Sequence, residues 1–289
     1  LGVRRMSNLG FVILHFKTAD DTRACVESIR QHVPGAHVVV VDNGSGNGSG
    51  KLLASEYKAD EDVRVILEER NLGFARGNNV GIKVARSIPG VRFVVVLNND
   101  TKLLQDDFEK LVNDEYAQSQ FAVLGPQIET RDGKVDSSPA PGLIASRQQA
   151  LKLIYKRMIK YALCLAHLEG LVKEAGTGKM VDVSYDYNCR YEDVKLHGAC
   201  LIFSDKYFER YEGFCDKTFL YFEEDILYWR AKQTGLKMVY NPNLRIWHAE
   251  DSSTNSTVKN KREKNLFVFK NEIKSLRVLK DILNDTSME

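Results

Sequence analysis

The chain has 289 residues, 43% apolar and 28% charged, and its 41 basic and 39 acidic side chains leave a formal net charge of +2. Such a balance suits a globular enzyme-sized domain, and it excludes a protein whose bulk charge seeks nucleic acid. There is no run of about 18 apolar residues that would span a membrane.

Leu1 to Arg5 precede Met6 and carry no apolar core of a signal peptide; they read as a cloning remnant and stay outside the fold reasoning. Phe11 to Phe16 predicts a first strand, and Asp20 to His32 a helix with Cys25, Ile29 and Val33 on one side. His37 to Val41 predicts a second, buried strand that ends in Asp42-Asn43-Gly44-Ser45. Lys51 to Tyr57 is a short helix, Val63 to Leu67 a third strand, and Phe74 to Ser87 a helix entered through Asn71-Leu72-Gly73. Val91 to Leu97 is a fourth strand that stops on Asn98-Asn99-Asp100-Thr101. Strands alternating with helices in this way predict a mostly parallel α/β sheet covered by helices.

The rhythm then changes. Phe108 to Ser119 is a helix, and Gln127–Thr130 with Lys134–Asp136 read as a hairpin turning on Asp132-Gly133. Leu143 to Glu174 reads as a long amphipathic helix. Ala199 to Phe203 is a strand, Ser204 to Tyr211 a helix, and Glu223 to Thr234 a helix stopped by Gly235. Met238–Tyr240 and Arg245–Trp247 read as two short strands, and Val258 to Leu283 as a closing helical segment. The cysteines, Cys25, Cys164, Cys189, Cys200 and Cys215, are dispersed without a Cys-x-x-Cys pair, which signals neither a zinc site nor a disulfide framework. A reducing, cytoplasmic setting is the simplest expectation.

Four stretches carry candidate chemistry. Ligands of open α/β sheets bind beyond the carboxyl ends of the strands. There Asn98, Asn99 and Asp100 form a half-site for Mg²⁺ or Mn²⁺ carried by a diphosphate, or simply a turn after a strand. Asp42 suits a nucleotide base or ribose, although turn chemistry alone also explains it. Asn71 to Asn79 pairs small residues with a helix N-terminus, which favours an anion, and Arg76 adds charge opposite a diphosphate. Glu223, Glu224 and Asp225 open a helix among aromatics; beyond favourable helix-dipole charge, Asp225 or Glu224 is a candidate general base. His248 gains interest only if it meets Asp100, where imidazole could complete a metal site. Lys156, Arg157 and Lys160 among leucines and tyrosines read as a packed surface helix or as a helix at a membrane surface.

In order along the chain, VVVVDNGS (Val38–Ser45), ERNLGFARGNNVGI (Glu69–Ile82), LNNDT (Leu97–Thr101), FLYFEEDILYWRAKQTG (Phe219–Gly235) and Trp247-His248 resemble the family 2 glycosyltransferases of the GT-A fold. The likeness leans towards the bacterial branch with rhamnosyltransferases of surface polysaccharides. It implies a GT-A domain over residues 9–255, with a nucleotide-sugar half at 9–105 and an acceptor half at 106–255 that holds a helical insertion at about 140–190. A C-terminal helical segment would fill 256–289. It implies that Asp42, Asn71, Arg76, Asn78, Asn98 and Asn99 serve the donor, that Asp100 and His248 serve a divalent metal, and that Asp225, with Glu224 beside it, serves as base. Asn98 stands where the family's Asp-x-Asp motif begins with an acid. The implied reaction is inverting transfer from a nucleoside-diphosphate sugar, dTDP-rhamnose among the candidates, to a glycan or lipid-linked saccharide. A sugar-phosphate nucleotidyltransferase and a non-catalytic nucleotide-sugar binder are the competing readings. The first lacks its glycine-rich loop at His15-Phe16-Lys17-Thr18, and the second has no need of Glu223-Glu224-Asp225.

Overall fold

Valine-rich strands buried on both faces organise a computed structural model that describes residues 6–135, 137–168, 170, 184–249 and 261–285. The first half alternates β1 (Leu9–His15), α1 (Ala19–His32), β2 (His37–Asp42), α2 (Ser49–Glu56), β3 (Val63–Leu67), α3 (Phe74–Arg86) and β4 (Phe93–Asn98). Side chains alternate across each strand. Val12, Val39, Val41, Val94 and Val96 therefore enter the layer under α3, and Phe11, Ile13, Val38, Val40 and Val95 enter the opposite layer with α1.

The second half contains β5 (Thr101–Leu103), α4 (Phe108–Ser119), β6 (Val123–Thr130), α5 (Arg147–Leu165), β7 (Tyr191–Glu192), β8 (Cys200–Phe203), α6 (Asp205–Phe208), α7 (Glu223–Gln233), β9 (Met238–His248) and α8 (Lys261–Asp285). All strands join one sheet in the order β3-β2-β1-β4-β8-β6-β9-β5, with β7 on β9. β3, β2, β1 and β4 run parallel; β8 is antiparallel to β4 and to β6, which runs parallel to β9.

Four expectations change. The helix expected from Ser204 to Tyr211 keeps only Asp205–Phe208. The Asp132-Gly133 turn forms, with the Thr130 amide bonded to the Lys134 carbonyl at 2.9 Å, but Lys134 and Val135 do not continue as a strand. β6 instead takes its long partner from β9; Asp136 lies outside the described residues. The two short C-terminal strands are one, β9. Asn241 pairs with Pro126 and Arg245 with Gln127, so Pro242, Asn243 and Leu244 bulge without breaking it. The long amphipathic helix begins only at Arg147, because the Ser146 hydroxyl accepts from the Gln149 amide, and it ends at Leu165. Glu169 and the residues 171–174 of that expected helix lie outside the described residues.

α5 and α8 pack together, joined by an Arg157–Glu272 ion pair at 2.6 Å and by Arg262, which donates to the Cys164 carbonyl at 2.7 Å. Among the described residues no helix is long and apolar enough to cross a membrane. α3 meets the second half at Gly73, where φ is +84° and a Cβ would lie 2.2 Å from the Phe219 carbonyl oxygen. The Phe74 amide donates to that oxygen at 2.8 Å. A side chain at Gly73 would separate the two halves at the mouth of the site.

Candidate functional site

At the carboxyl ends of β1, β2 and β4 lies a cavity of about 500 Å³. Asn43, Asn71, Gly73, Asn98, Asn99 and Asp100 line it from the first half; His197, the Phe219–Glu224 segment, Lys264 and Phe267 line it from the second.

β5 pairs antiparallel with β9, which places Thr101 opposite His248. The Ala249 amide then donates to the Asp100 carbonyl at 3.0 Å. This register brings the His248 Nε2 within 3.2 Å of the Asp100 carboxylate, and both residues are buried. The Asn98 amide lies 3.5 Å from the same Nε2, while His248 Nδ1 is buried with no hydrogen-bond partner. Asn99 turns the other way. Its amide donates to Thr18 Oγ1 at 2.7 Å and Thr22 Oγ1 at 3.1 Å, locking the β1–α1 loop. One carboxylate and one imidazole form a donor pair that could hold a divalent cation, and ligand phosphates would have to supply the remaining positions. Among the described residues no cluster of three or more ligating side chains forms a complete metal cage.

The floor beside β2 is tied by amides. Asn43 accepts from the Leu72 amide at 2.8 Å and donates to Asn71 Oδ1 and the Gly73 carbonyl, each at 3.2 Å. Asn71 also accepts from the Gly73 amide at 2.8 Å. Asp42 is buried and turns its carboxylate onto the amide and hydroxyl of Ser45. Arg76 and Asn78 are not among the lining residues. Arg76 donates to the Asp216 carbonyl at 2.7 Å, and buried Asn78 donates to the Phe74 carbonyl at 3.0 Å. Asn79, which sequence reading passed over, clamps Phe214 through both its amide and its carbonyl.

The three acids at the start of α7 diverge, because successive residues of a helix point about 100° apart. Glu223 is buried against the first cavity, and burial plus the neighbouring Glu224 charge push its carboxyl up to about 8. Glu224 lines that cavity and also a second one of about 440 Å³. Asp225 points inward. Its carboxylate accepts from the Ile144 amide at 3.2 Å and pairs with Lys195 at 3.3 Å; burial raises its pKa, opposed by Lys195. Of the two candidate bases, Glu224 faces both cavities and Asp225 is not among the lining residues of either.

His197 lines both cavities with Glu224, its ring 5.9 Å from that of His248. Burial lowers its pKa to about 4, so the ring is neutral near pH 7. Its Nδ1 accepts from the Ala199 amide at 3.1 Å, which leaves the proton on Nε2. Gly198 follows, and a Cβ there would lie 2.6 Å from a Glu224 oxygen.

A model of glycosyl transferase family 2 matches residues 11–165, more than half of the chain. The chain belongs to glycosyl transferase family 2. Among curated proteins this family 2 chain is 24% identical over 235 residues to the low-salt glycan biosynthesis hexosyltransferase Agl10 of Haloferax volcanii, covering 81% of this chain and 64% of Agl10. It is 25% identical over 118 residues to the glycosyltransferase GlyG of Streptococcus pneumoniae serotype 4, covering 40% of this chain and 38% of GlyG. The chain thus spans less than two thirds of either relative. Among solved structures, S. aureus TarS 1-349 superposes with a TM-score of 0.53 at 11% identity, covering 91% of this chain and 71% of that one. TarS 1-349 in complex with UDP gives 0.53 at 13%, covering 91% and 70%. The sheet and these neighbours make the fold GT-A.

Sequence reading missed Asn43, His197, Lys195 and the α8 side chains. Asn43 sits inside the quoted strand-end motif and was legible there. Lys195 and His197 follow no local pattern, and α8 reaches the cavity only through tertiary packing.

Proposed function

We propose that the protein is an inverting glycosyltransferase that moves a hexosyl group from a nucleoside-diphosphate sugar to a hydroxyl of a glycan or lipid-linked saccharide. One observation carries the reading: Asp100 at the end of β4 and Glu224 at the start of α7 line the same cavity, beside the amide-tied floor of Asn43 and Asn71. The floor presents amide groups to the donor nucleotide. Asp100 and His248 would hold Mg²⁺ or Mn²⁺ together with the donor diphosphate; the imidazole–carboxylate pair fits that use. Such a cation would neutralise charge on the departing diphosphate. Glu224 takes the proton from the acceptor hydroxyl as it attacks the anomeric carbon from the face opposite the leaving group. The proton ends on Glu224, and no sugar–enzyme bond forms. Asp225 acts beneath, on the wall. UDP-hexoses and dTDP-rhamnose are the first donors to try, since a TarS neighbour binds UDP.

A thermal-shift screen of nucleotide sugars with and without Mn²⁺ tests this, because a ligand of the native state raises the melting temperature by mass action. A rise with at least one nucleotide sugar, larger in Mn²⁺, is expected; no rise with any of them overturns the donor assignment.

The same proposal includes peripheral contact with an anionic, cytoplasmic membrane surface through α5. That helix has no acid, and Tyr155, Met158, Ile159 and Leu165 are 44–67% exposed along one face beside exposed Lys152 and Lys156. Co-sedimentation with phosphatidylglycerol vesicles, weakened by Ile159→Glu, is expected. Failure of the protein to pellet with them removes the membrane contact.

A further inference from the structure

α7 does two things with adjacent residues. Glu224 stands where the two cavities meet, and its neighbours hold the far wall of the second one. That wall is the segment from Ser137 to Ile144, tied down at four points. The Ala140 amide donates to the Lys195 carbonyl at 2.8 Å. Lys195 Nζ bonds the Gly142 carbonyl and pairs with Asp225. The Ile144 amide donates to Asp225 at 3.2 Å, and the Ile144 carbonyl accepts from the Trp229 indole at 2.9 Å. A loop held this firmly can shape a binding surface at little ordering cost.

The second cavity has about 440 Å³, within the range of small-molecule pockets. Its lining is Ser137, Ala140, Pro141, Lys195, His197 and Glu224. His197 and Glu224 are the only residues it shares with the first cavity. The chemistry is that of a sugar site: a carboxylate and an imidazole for hydroxyls, and Ala140 and Pro141 for the C–H face of a ring. The Ser137 hydroxyl is buried with no hydrogen-bond partner among the described residues. Among the described lining residues the cation, Lys195, is engaged by Asp225 and the Gly142 carbonyl, so the free charge there is the Glu224 carboxylate, which disfavours an anionic ligand.

We propose that this second cavity is the acceptor subsite and takes a neutral glycosyl residue whose reacting hydroxyl faces Glu224, with the Ser137–Ile144 segment as its specificity wall. This rests on the glycosyltransferase reading above. Asp225, Lys195 and Trp229 are positioning residues of that wall.

The test uses the full chain, the nucleotide sugar that best stabilises it, and a panel of neutral methyl glycosides with methyl glucuronide as the anionic control. Donor affinity is read by calorimetry, and transfer by release of nucleoside diphosphate and mass of the product. For the wild type, transfer to a neutral glycoside and at least tenfold less to the glucuronide are expected. Ala140→Trp, which fills the cavity, should raise acceptor KM at least tenfold or abolish transfer while leaving donor affinity within twofold. Ser137→Ala, a milder variant that leaves the wall's four ties intact, should raise acceptor KM several-fold with kcat little changed. Unchanged acceptor KM in both variants overturns the subsite with the glycosyltransferase reading intact. A wild type that binds a donor yet uses none of the glycosides, or prefers the glucuronide, also overturns the subsite. Failure of every nucleotide sugar to bind instead removes the parent reading and this inference together.

Discussion

The floor of the site and its far wall are built differently. The floor is held by side chains bonding between segments that follow neighbouring parallel strands: Asn43 after β2 to Asn71 and Gly73 after β3, and Asn99 after β4 to Thr18 and Thr22 after β1. The wall is held from a loop and a helix rather than from strand ends, with Ile144 bonded to Asp225 and Trp229 of α7, and Lys195 to Asp225. Floor residues therefore appear in the sequence as compact motifs at strand ends. Wall residues look like ordinary loop and helix positions until the second half folds. On the proposed reading, nucleotide recognition lies on the floor of strand-end motifs and acceptor choice on the wall that the second half assembles.

The sharpest way to break that division lies in the two adjacent acids of α7. Glu224→Gln should lower kcat by roughly 10²–10⁴, the usual reach of a general base, with nucleotide-sugar affinity kept. Asp225→Asn should act mainly on stability and acceptor KM. If Asp225→Asn abolished turnover at saturating acceptor and Glu224→Gln did not, the roles would be exchanged. Next in size, Lys195→Met leaves a buried Asp225 carboxylate without its cation and should cost about 3–5 kcal/mol in urea unfolding. A loss near zero would show that the wall does not depend on the pair.

On the floor, Asp100→Ala should remove most of the gain in donor affinity that Mn²⁺ gives, as read by calorimetry; an unchanged gain would sever Asp100 from the metal. Glu223 predicts a pH effect. Its carboxyl is raised to about 8 in the folded chain against an ordinary value of 4.5, so the native state holds the proton more tightly. The stability this contributes is fully present below about pH 4.5 and is lost as pH rises through about 8. Glu223→Gln should flatten that stretch of the stability–pH curve, and an unaltered slope would contradict the assignment. The smallest structural effect belongs to Gly198→Ala. The atoms nearest the new methyl belong to the flexible Glu224 side chain, so stability should change by about 0.5 kcal/mol or less while turnover falls. Normal turnover would mean that the position of the Glu224 carboxylate does not limit the reaction.

Much of the fold was legible because its first half obeys local rules. There β3 has the predicted bounds, and β2 and α3 differ by a single residue at one end; α4, early in the second half, also keeps its predicted bounds. Buried parallel strands announce themselves as apolar runs, and the loops beyond their ends carry the polar residues. The second half was read less well, since β9 finds its partner β6 across more than a hundred residues and keeps it through a bulge that looks like a break.

By itself the sequence determined the α/β rhythm, the family motifs and the set of candidate residues from Asp42 to His248, because each depends on periodicity or on neighbours within a few positions. Only the tertiary structure decided which of them share a cavity. It set His248 on Asp100 through the β5–β9 register, turned Arg76 towards Asp216, and sent Asp225 into an ion pair while Glu224 faced both cavities. One residue along a helix is a rotation of about 100°, enough to carry a carboxylate from a cavity into the core. Which of two adjacent acids does so depends on what packs against the helix, and Lys195, Ile144 and Trp229 become neighbours only when the chain has folded.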